Sequence, residues 1–239
     1  MDRVALITGA SQGLGAVLAA FLGGQDYHLV ITARRADGLK TEADRLAALG
    51  ITVTALPGDV ADPAHRAKLV EAARGLGRLD VLVNNASELG PTPMPNLVDF
   101  DLEALRRVLE VNLVAPIALV QAALPLLKDS GGLVINISSD AALGGYETWG
   151  GYGASKAALD LASKTLANEL ENDGVAVISV DPGDMRTEMA RMAFSPEEMA
   201  ERPLPDITLP FWAWVLGQEP MSISGRRFQA QEDLWEAQS

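Results

Sequence analysis

Thr8-Gly9-Ala10-Ser11-Gln12-Gly13-Leu14-Gly15 joins the apolar run Val4-Ala5-Leu6-Ile7 to the helix-forming stretch Ala16-Val17-Leu18-Ala19-Ala20. Glycines at 9, 13 and 15 suit a strand-to-helix turn whose backbone bends tightly, approaches a pyrophosphate closely and packs helix on strand. The free N–H groups at the start of such a helix hold an anion. An ordinary strand–helix turn uses one glycine, so three at this spacing favour a phosphate-binding turn. Ser11, Gln12 and Leu14 lie between the glycines and belong to the same candidate site.

Outward from this turn, short Val-, Ile- and Leu-rich runs alternate with longer helical patterns. The pattern predicts strands at Val4–Thr8, His28–Ala33, Thr52–Leu56, Val81–Asn84, Leu133–Ser138, Val175–Val180 and near Ile223–Gln229. Their nearly continuous apolar content is that of strands covered on both faces. Helices are predicted near Gly13–Gly23, Asp37–Leu49, Pro63–Leu76, Asp101–Leu127 and Gly151–Asn172. The expectation is an α/β fold: one domain over residues 1–239, a doubly wound parallel sheet of about seven strands with helices on both faces. The Met- and Pro-rich segment 184–209 breaks the alternation and is expected to border a ligand crevice. A short tail, 230–239, closes the chain.

The 239 residues carry 19 Lys and Arg against 32 Asp and Glu, a net charge of −13. Nucleic-acid binding depends on clustered cations, so this balance argues against it. There are no cysteines, which removes disulfides, thiolate metal sites and a cysteine nucleophile; no metal site is expected. The start of the chain shows no secretory pattern, and the apolar run Leu113–Leu127 falls short of the ~18 residues of a membrane span. A cytoplasmic protein without a membrane partner is expected. In Leu113–Leu127 the apolar residues run almost all the way round, and Gly151–Leu170 is dominated by Ala, Leu, Ser and Lys. Such helices need cover on more than one side, so a homodimer or homotetramer is expected. Phe211, Trp212 and Trp214 read as core or interface, and His65, in a helix start, as solvated.

Gly9-x-Ser11-x-Gly13 also spells the nucleophile elbow of an α/β-hydrolase. That reading needs an acid and then a histidine downstream, and the only histidines are His28 and His65. The first starts the next strand and the second opens a helix, so the hydrolase reading is rejected. A different pairing carries the chemistry. Tyr152 and Lys156 stand four residues apart and share one face of a helix. A tyrosine titrates near pH ~10 and works as an acid–base group when a neighbouring ammonium favours its phenolate. Ser139, thirteen residues before Tyr152, lies at a strand end, where its hydroxyl could donate to a developing oxyanion. Strand alternation sends the adjacent Ser138 to the other face.

These residues, in order, resemble the short-chain dehydrogenase/reductase family. Asn84-Asn85-Ala86-Ser87 resembles its Asn-Asn-Ala-Gly element, Tyr152-Gly-Ala-Ser155-Lys156 its Tyr-x-x-x-Lys, and Pro182-Gly183-Asp-Met-Arg-Thr187 its Pro-Gly-x-x-x-Thr stretch. The Ser139–Tyr152 spacing is the family's, and Asn112 matches its helix asparagine. Ser87 departs from the pattern by replacing glycine. The resemblance implies a Rossmann-type fold and the catalytic set Asn112, Ser139, Tyr152 and Lys156. It implies that Tyr152 is the general acid/base, that Lys156 also holds the nicotinamide ribose, and that Asn112 holds a relay water. It also implies cofactor contacts at Asp59 and Val60, at Asn85, Ala86 and Ser87, and at Pro182, Gly183, Met185 and Thr187.

The second strand ends Ala33-Arg34-Arg35. NAD users commonly carry an acid there, whereas two arginines suit the 2′-phosphate of NADP. NADP(H) is therefore expected over NAD(H), although Gln12 stands where many NADP users in the family carry a base. Met189 and Met192, with Tyr146 and Trp149 opposite, are expected to line the pocket of a small carbonyl or alcohol substrate. The expected function is a carbonyl reductase or alcohol dehydrogenase. The rival is a non-catalytic NADP-sensing regulatory protein on the same fold.

Overall fold

The computed structural model describes residues 3–232 and 234–235. Residues 1–2, 233 and 236–239, including much of the expected tail, lie outside the described residues. Seven strands, β1 (Arg3–Thr8), β2 (Tyr27–Ala33), β3 (Val53–Pro57), β4 (Val81–Asn84), β5 (Leu133–Ile137), β6 (Ala176–Asp181) and β7 (Arg227–Gln229), form one parallel sheet. Their order is β3-β2-β1-β4-β5-β6-β7. The chain winds one way from β1 to β3 and the other way from β4, so the crevice opens at the carboxyl ends of β1 and β4. The last strand is shorter than expected, because Ile223 ends a helical turn instead.

Between strands run α1 (Gly13–Gly23), α2 (Ala36–Ala48), α3 (Pro63–Gly75), α4 (Leu102–Leu109), α5 (Ala115–Ser130), α6 (Ala141–Gly144) and α7 (Gly150–Glu169). After β6 come α8 (Glu188–Arg191), α9 (Pro196–Glu201), α10 (Leu209–Leu216) and α11 (Pro220–Ile223). Alternation divides the strand side chains between two cores. Ala5 and Ile7 of β1, with Leu29 and Ile31 of β2, pack under α1, α2 and α10. Val4, Leu6 and Val30 pack on the other face with Leu69 of α3, and Leu119 and Leu127 of α5. Successive residues on a strand face opposite ways, so each continuous apolar run feeds both layers.

The helix expected at Asp101–Leu127 is α4 and α5 joined by a π-helical turn, Glu110–Val114. An 18-residue window within Leu102–Ser130 reaches a mean hydropathy of 1.7, so the stretch is long and apolar enough to cross a membrane by length and composition. Here Leu119, Val120, Ala123, Leu126 and Leu127 pack on the sheet, while Leu102 and Val114 stay exposed. Phe211 and Trp212 are core residues: Phe211 meets Trp212, Trp214 and Phe228 with ring centroids 4.8, 6.0 and 5.8 Å apart.

His65 departs from expectation. It is 5% exposed, its Nε2 lies 2.7 Å from Thr32 Oγ1 on β2, and its ring covers Gly58. A helix start is usually solvated, but α3 packs on the sheet and carries His65 inward with Leu69. Burial lowers its pKa.

Two glycines set the approach of α1 to β1. Gly9 has φ +69°, and a Cβ there would stand 2.8 Å from Asn85 Nδ2 and 2.9 Å from Ala86 Cα. A Cβ on Gly15 would stand 2.3 Å from the Gly9 carbonyl oxygen. Backbone cannot yield as a flexible side chain can, so Gly15→Ala is expected to cost about 1–3 kcal/mol of stability. Urea unfolding measures it; an unchanged midpoint would refute the close packing.

Candidate active site

A cavity of about 900 Å³ opens along the carboxyl ends of the strands. Gly9, Ser11, Gln12, Gly13 and Leu14 line one end with Arg34, Arg35, Asp59, Val60, Asn85, Ala86 and Ser87. Ser139, Tyr152 and Lys156 line the other with Pro182, Gly183, Met185, Thr187, Tyr146, Trp149, Met189 and Met192. Of the residues named from sequence, only Gly15 and Asn112 stand back from the cavity wall. Gly15 lies against the Gly9 carbonyl, and Asn112 is buried behind Ser87.

Tyr152 and Lys156 occupy one face of α7, as their spacing requires. Both are buried, and Lys156 Nζ lies 5.5 Å from the centre of the Tyr152 ring. The ammonium donates to the Ile137 carbonyl at the end of β5, 2.7 Å away. Burial pushes Lys156 down to about 8, with Asp160 opposing. Burial pushes the Tyr152 phenol up to about 12, against the pull of the Ser139 and Ser87 hydroxyls. A buried polar string sets the depth of α7: Asn84 donates to Asn136 and Asn136 to Ser163, each at 2.8 Å. The string crosses β4, β5 and α7, so the register of the sheet reaches the helix that carries Tyr152.

Asn112 sits in the π-helical turn with its amide fully used. Nδ2 donates to the Glu88 carbonyl and Ser155 Oγ, both at 2.9 Å. Oδ1 accepts from the Glu88 N–H at 2.8 Å and from Ser87 Oγ at 3.1 Å. The side chain has no capacity left for a water, so any relay contact falls to the main chain. Pro116 has no N–H to offer the Asn112 carbonyl four residues back.

β5 ends at Ile137, so strand alternation no longer separates the next two residues. Ser138 and Ser139 both border the cavity, contrary to the expectation of opposite faces. Ser138 is buried, while Ser139 Oγ donates to Asp140 Oδ1 at 3.0 Å and accepts from the Ala141 N–H at 3.1 Å. Arg227 of β7 ties this corner together. It donates to Asp160 at 2.9 Å, to the Ser139 carbonyl at 2.9 Å and to Asp181 at 3.4 Å. Sequence reading missed Arg227, because its three partners are far apart in the chain.

At the other end, Arg35 Nη2 donates to Gln12 Oε1 at 2.8 Å, which puts a guanidinium beside the position that lacks a base. Arg34 pairs with Glu88, and Glu88 also accepts from Arg107 Nε at 2.9 Å. Arg107 donates in turn to Asp59 Oδ2 at 2.7 Å. Burial works to raise the Asp59 carboxyl, but the Ala61 N–H and Arg107 outweigh it and hold it below the usual range. Glu88 and Arg107 were also missed; no local spacing links them to Arg34. On the substrate side, Trp149 packs against Tyr152 and Phe194 with ring centroids 5.7 and 5.6 Å apart. Tyr146 and Met192 are half-exposed at the mouth.

A parallel sheet of this order, with a glycine turn at one end of its crevice and a buried Tyr–Lys pair at the other, defines a Rossmann-like oxidoreductase scaffold. The comparisons agree. The sequence model described as short chain dehydrogenase matches residues 3–198. The chain is 37% identical over 196 residues to 1-deoxy-11-beta-hydroxypentalenate dehydrogenase of Streptomyces avermitilis, spanning 80% of this chain and 72% of that one. It is 36% identical over 192 residues to an uncharacterized oxidoreductase of Saccharomyces cerevisiae, spanning 79% and 73%. Among solved structures, a short chain dehydrogenase of Pseudomonas syringae superposes with a TM-score of 0.89 at 31% identity, covering 96% of this chain and 94% of that one. One from Shigella flexneri, complexed with NADP, superposes with a TM-score of 0.89 at 28% identity, covering 97% and 98%. The chain belongs to the short-chain dehydrogenase family.

The buried ammonium has a measurable signature. Unfolded lysine keeps its proton to pH ~10.4, whereas folded Lys156 releases it at about 8. Between these values the unfolded chain binds more protons, so stability rises with pH, by at most about 1.4 kcal/mol per pH unit. Urea unfolding between pH 8 and 10 should show wild type gaining on Lys156→Met. Parallel profiles for the two proteins would contradict the burial of a charged lysine.

Proposed function

We propose that the protein is an NADP(H)-dependent carbonyl reductase, reversible as an alcohol dehydrogenase, acting on a small ketone, aldehyde or secondary alcohol. One observation carries the reading: a single cavity joins a glycine turn and two arginines to a buried Tyr152–Lys156 pair. The cleft fits a dinucleotide phosphate. The close contacts of Gly9 leave no room for a side chain between the turn and Ala86. Gly13 opens α1, whose first N–H groups lie free for a pyrophosphate. Arg34 and Arg35 suit a 2′-phosphate, Asp59 and Val60 the adenine, and Thr187 the carboxamide. NADP-bound relatives of the same fold support this choice.

When bound, the cofactor supplies or takes up a hydride. The chain manages the oxygen. Ser139 turns its hydroxyl from Asp140 to the substrate oxygen and donates a hydrogen bond as that oxygen becomes negative. Tyr152 is a neutral phenol at pH 7 and gives its proton to the same oxygen. The phenolate left behind is stabilised by the Lys156 ammonium on the same helix face. Asn112 acts at one remove, locking Ser87 and Glu88 against α7 through Ser155. In the oxidative direction each proton moves the other way.

Met189 and Met192, with Tyr146 and Trp149, form an adaptable, largely apolar substrate wall. The same reading includes a homodimer or homotetramer, for which Leu102, Val114 and Leu161 offer exposed apolar surface. It also includes a cytoplasmic setting. Light scattering checks the assembly, and a monomer would refute it.

Two measurements test the chemistry. NADPH oxidation with a panel of ketones should fall by about 10²–10⁴-fold in Tyr152→Phe. Equal rates in both proteins would overturn the role of Tyr152, and NADPH binding without turnover in wild type would overturn the enzyme reading in favour of a sensing protein. Reduction needs the Lys156 charge, so kcat/KM for reduction should decline as pH rises through about 8. A profile flat to pH 10 would refute the role of that ammonium.

A further inference from the structure

Two arginines follow β2, yet their surroundings differ. Arg35 is held by the neutral amide of Gln12, whereas Arg34 already has a carboxylate, that of Glu88. Glu88 is gripped from its other side by Arg107, through Nε at 2.9 Å and Nη2 at 3.2 Å. Arg107 in turn holds Asp59 at 2.7 Å. The four groups are two cations and two anions, so the cluster is neutral without an incoming phosphate.

Glu88 cannot retreat from this position by moving its backbone. Its N–H and its carbonyl are both bound by the Asn112 amide, at 2.8 and 2.9 Å. Its side chain is mostly buried, with 16% of its surface exposed against 57% for Arg34. Only rotation of the side chain, or of Arg34 itself, separates the pair. A 2′-phosphate approaching Arg34 therefore meets a fixed competitor of its own sign. A ribose 2′-hydroxyl carries no charge and meets no such competition. The acid that NAD users commonly carry at the end of the second strand is Ala33 here. Glu88 returns a carboxylate to the neighbourhood of Arg34 from the segment after β4.

We propose that Glu88 is a specificity-determining residue: it competes with the 2′-phosphate for Arg34, restrains the preference for NADP(H), and lets the cleft accept NAD(H) as well. Arg35 is then the main phosphate-binding cation, and Arg34 is shared. The proposal rests on the cofactor reading above.

The test isolates the adenosine end by calorimetric titration with 2′,5′-ADP and 5′-ADP, independently of turnover. Glu88→Gln should tighten 2′,5′-ADP about fivefold, the scale of a partly exposed ion pair, and leave 5′-ADP unchanged or weaker. The gain should vanish in an Arg34→Ala background. A second comparison leaves Glu88 untouched: Arg35→Ala should weaken 2′,5′-ADP more than Arg34→Ala does. An unchanged ratio of the two affinities in Glu88→Gln, or a larger loss in Arg34→Ala, would overturn the proposal. Failure of wild type to bind either nucleotide or NADP⁺ would instead refute the cofactor reading.

Discussion

The turn between β1 and α1 meets the segment after β4 at contacts that leave Gly9 and Gly15 no room for a side chain of their own, and the rest of the crevice follows from that contact. Asn85 Nδ2 donates to the Thr8 and Gly9 carbonyls at 2.9 and 3.1 Å, and Thr8 Oγ1 accepts from the Asn85 and Ala86 N–H groups at 3.0 Å. These bonds close the sheet where its winding reverses. They aim the first turn of α1 along the cavity and set the 85–88 segment behind it. A larger residue at 9 or 15 would push the helix off the strand, with effects as far as Asn112, which is bonded to Ser87 and Glu88.

The second constraint lies at the opposite end and costs stability. An ammonium with 2% of its surface exposed has, among the described residues, one protein acceptor, the Ile137 carbonyl. Burying a charge with so little compensation opposes folding. The fold holds it with a sheet-wide scaffold: the Asn84–Asn136–Ser163 string and the Arg227 bridge to Asp160 and Ser139. Proton transfer under the proposed function uses the same strained electrostatics, a lysine pushed down and a tyrosine pushed up by one dry environment.

Charge illustrates how a chain-wide number and a local one diverge. The protein carries −13 overall, but at one end of the cavity Arg34, Arg35 and Asp59 line the wall, and Arg34 and Asp59 are already paired with Glu88 and Arg107. Net charge describes the solvated surface. What a ligand meets is decided by which ions pair with one another before it arrives.

The alternation of strands and helices, the glycine turn, the Tyr152–Lys156 face and the Ser139 spacing were legible in the sequence, because each is a local regularity. Strand and helix periods, and a four-residue offset on a helix, need no knowledge of the fold. The segment after β6 was legible as an exception and no further. Other features were decided only by the tertiary structure. His65 sits in a helix start that reads as solvated, yet α3 turns it inward onto Thr32. Ser138 and Ser139 part company by strand logic, yet the strand stops one residue before them. Glu88, Arg107 and Arg227 carry no motif at all. Their roles come from ion pairs between residues 19 to 67 positions apart, and a long-range pair leaves no periodic trace in the chain that makes it.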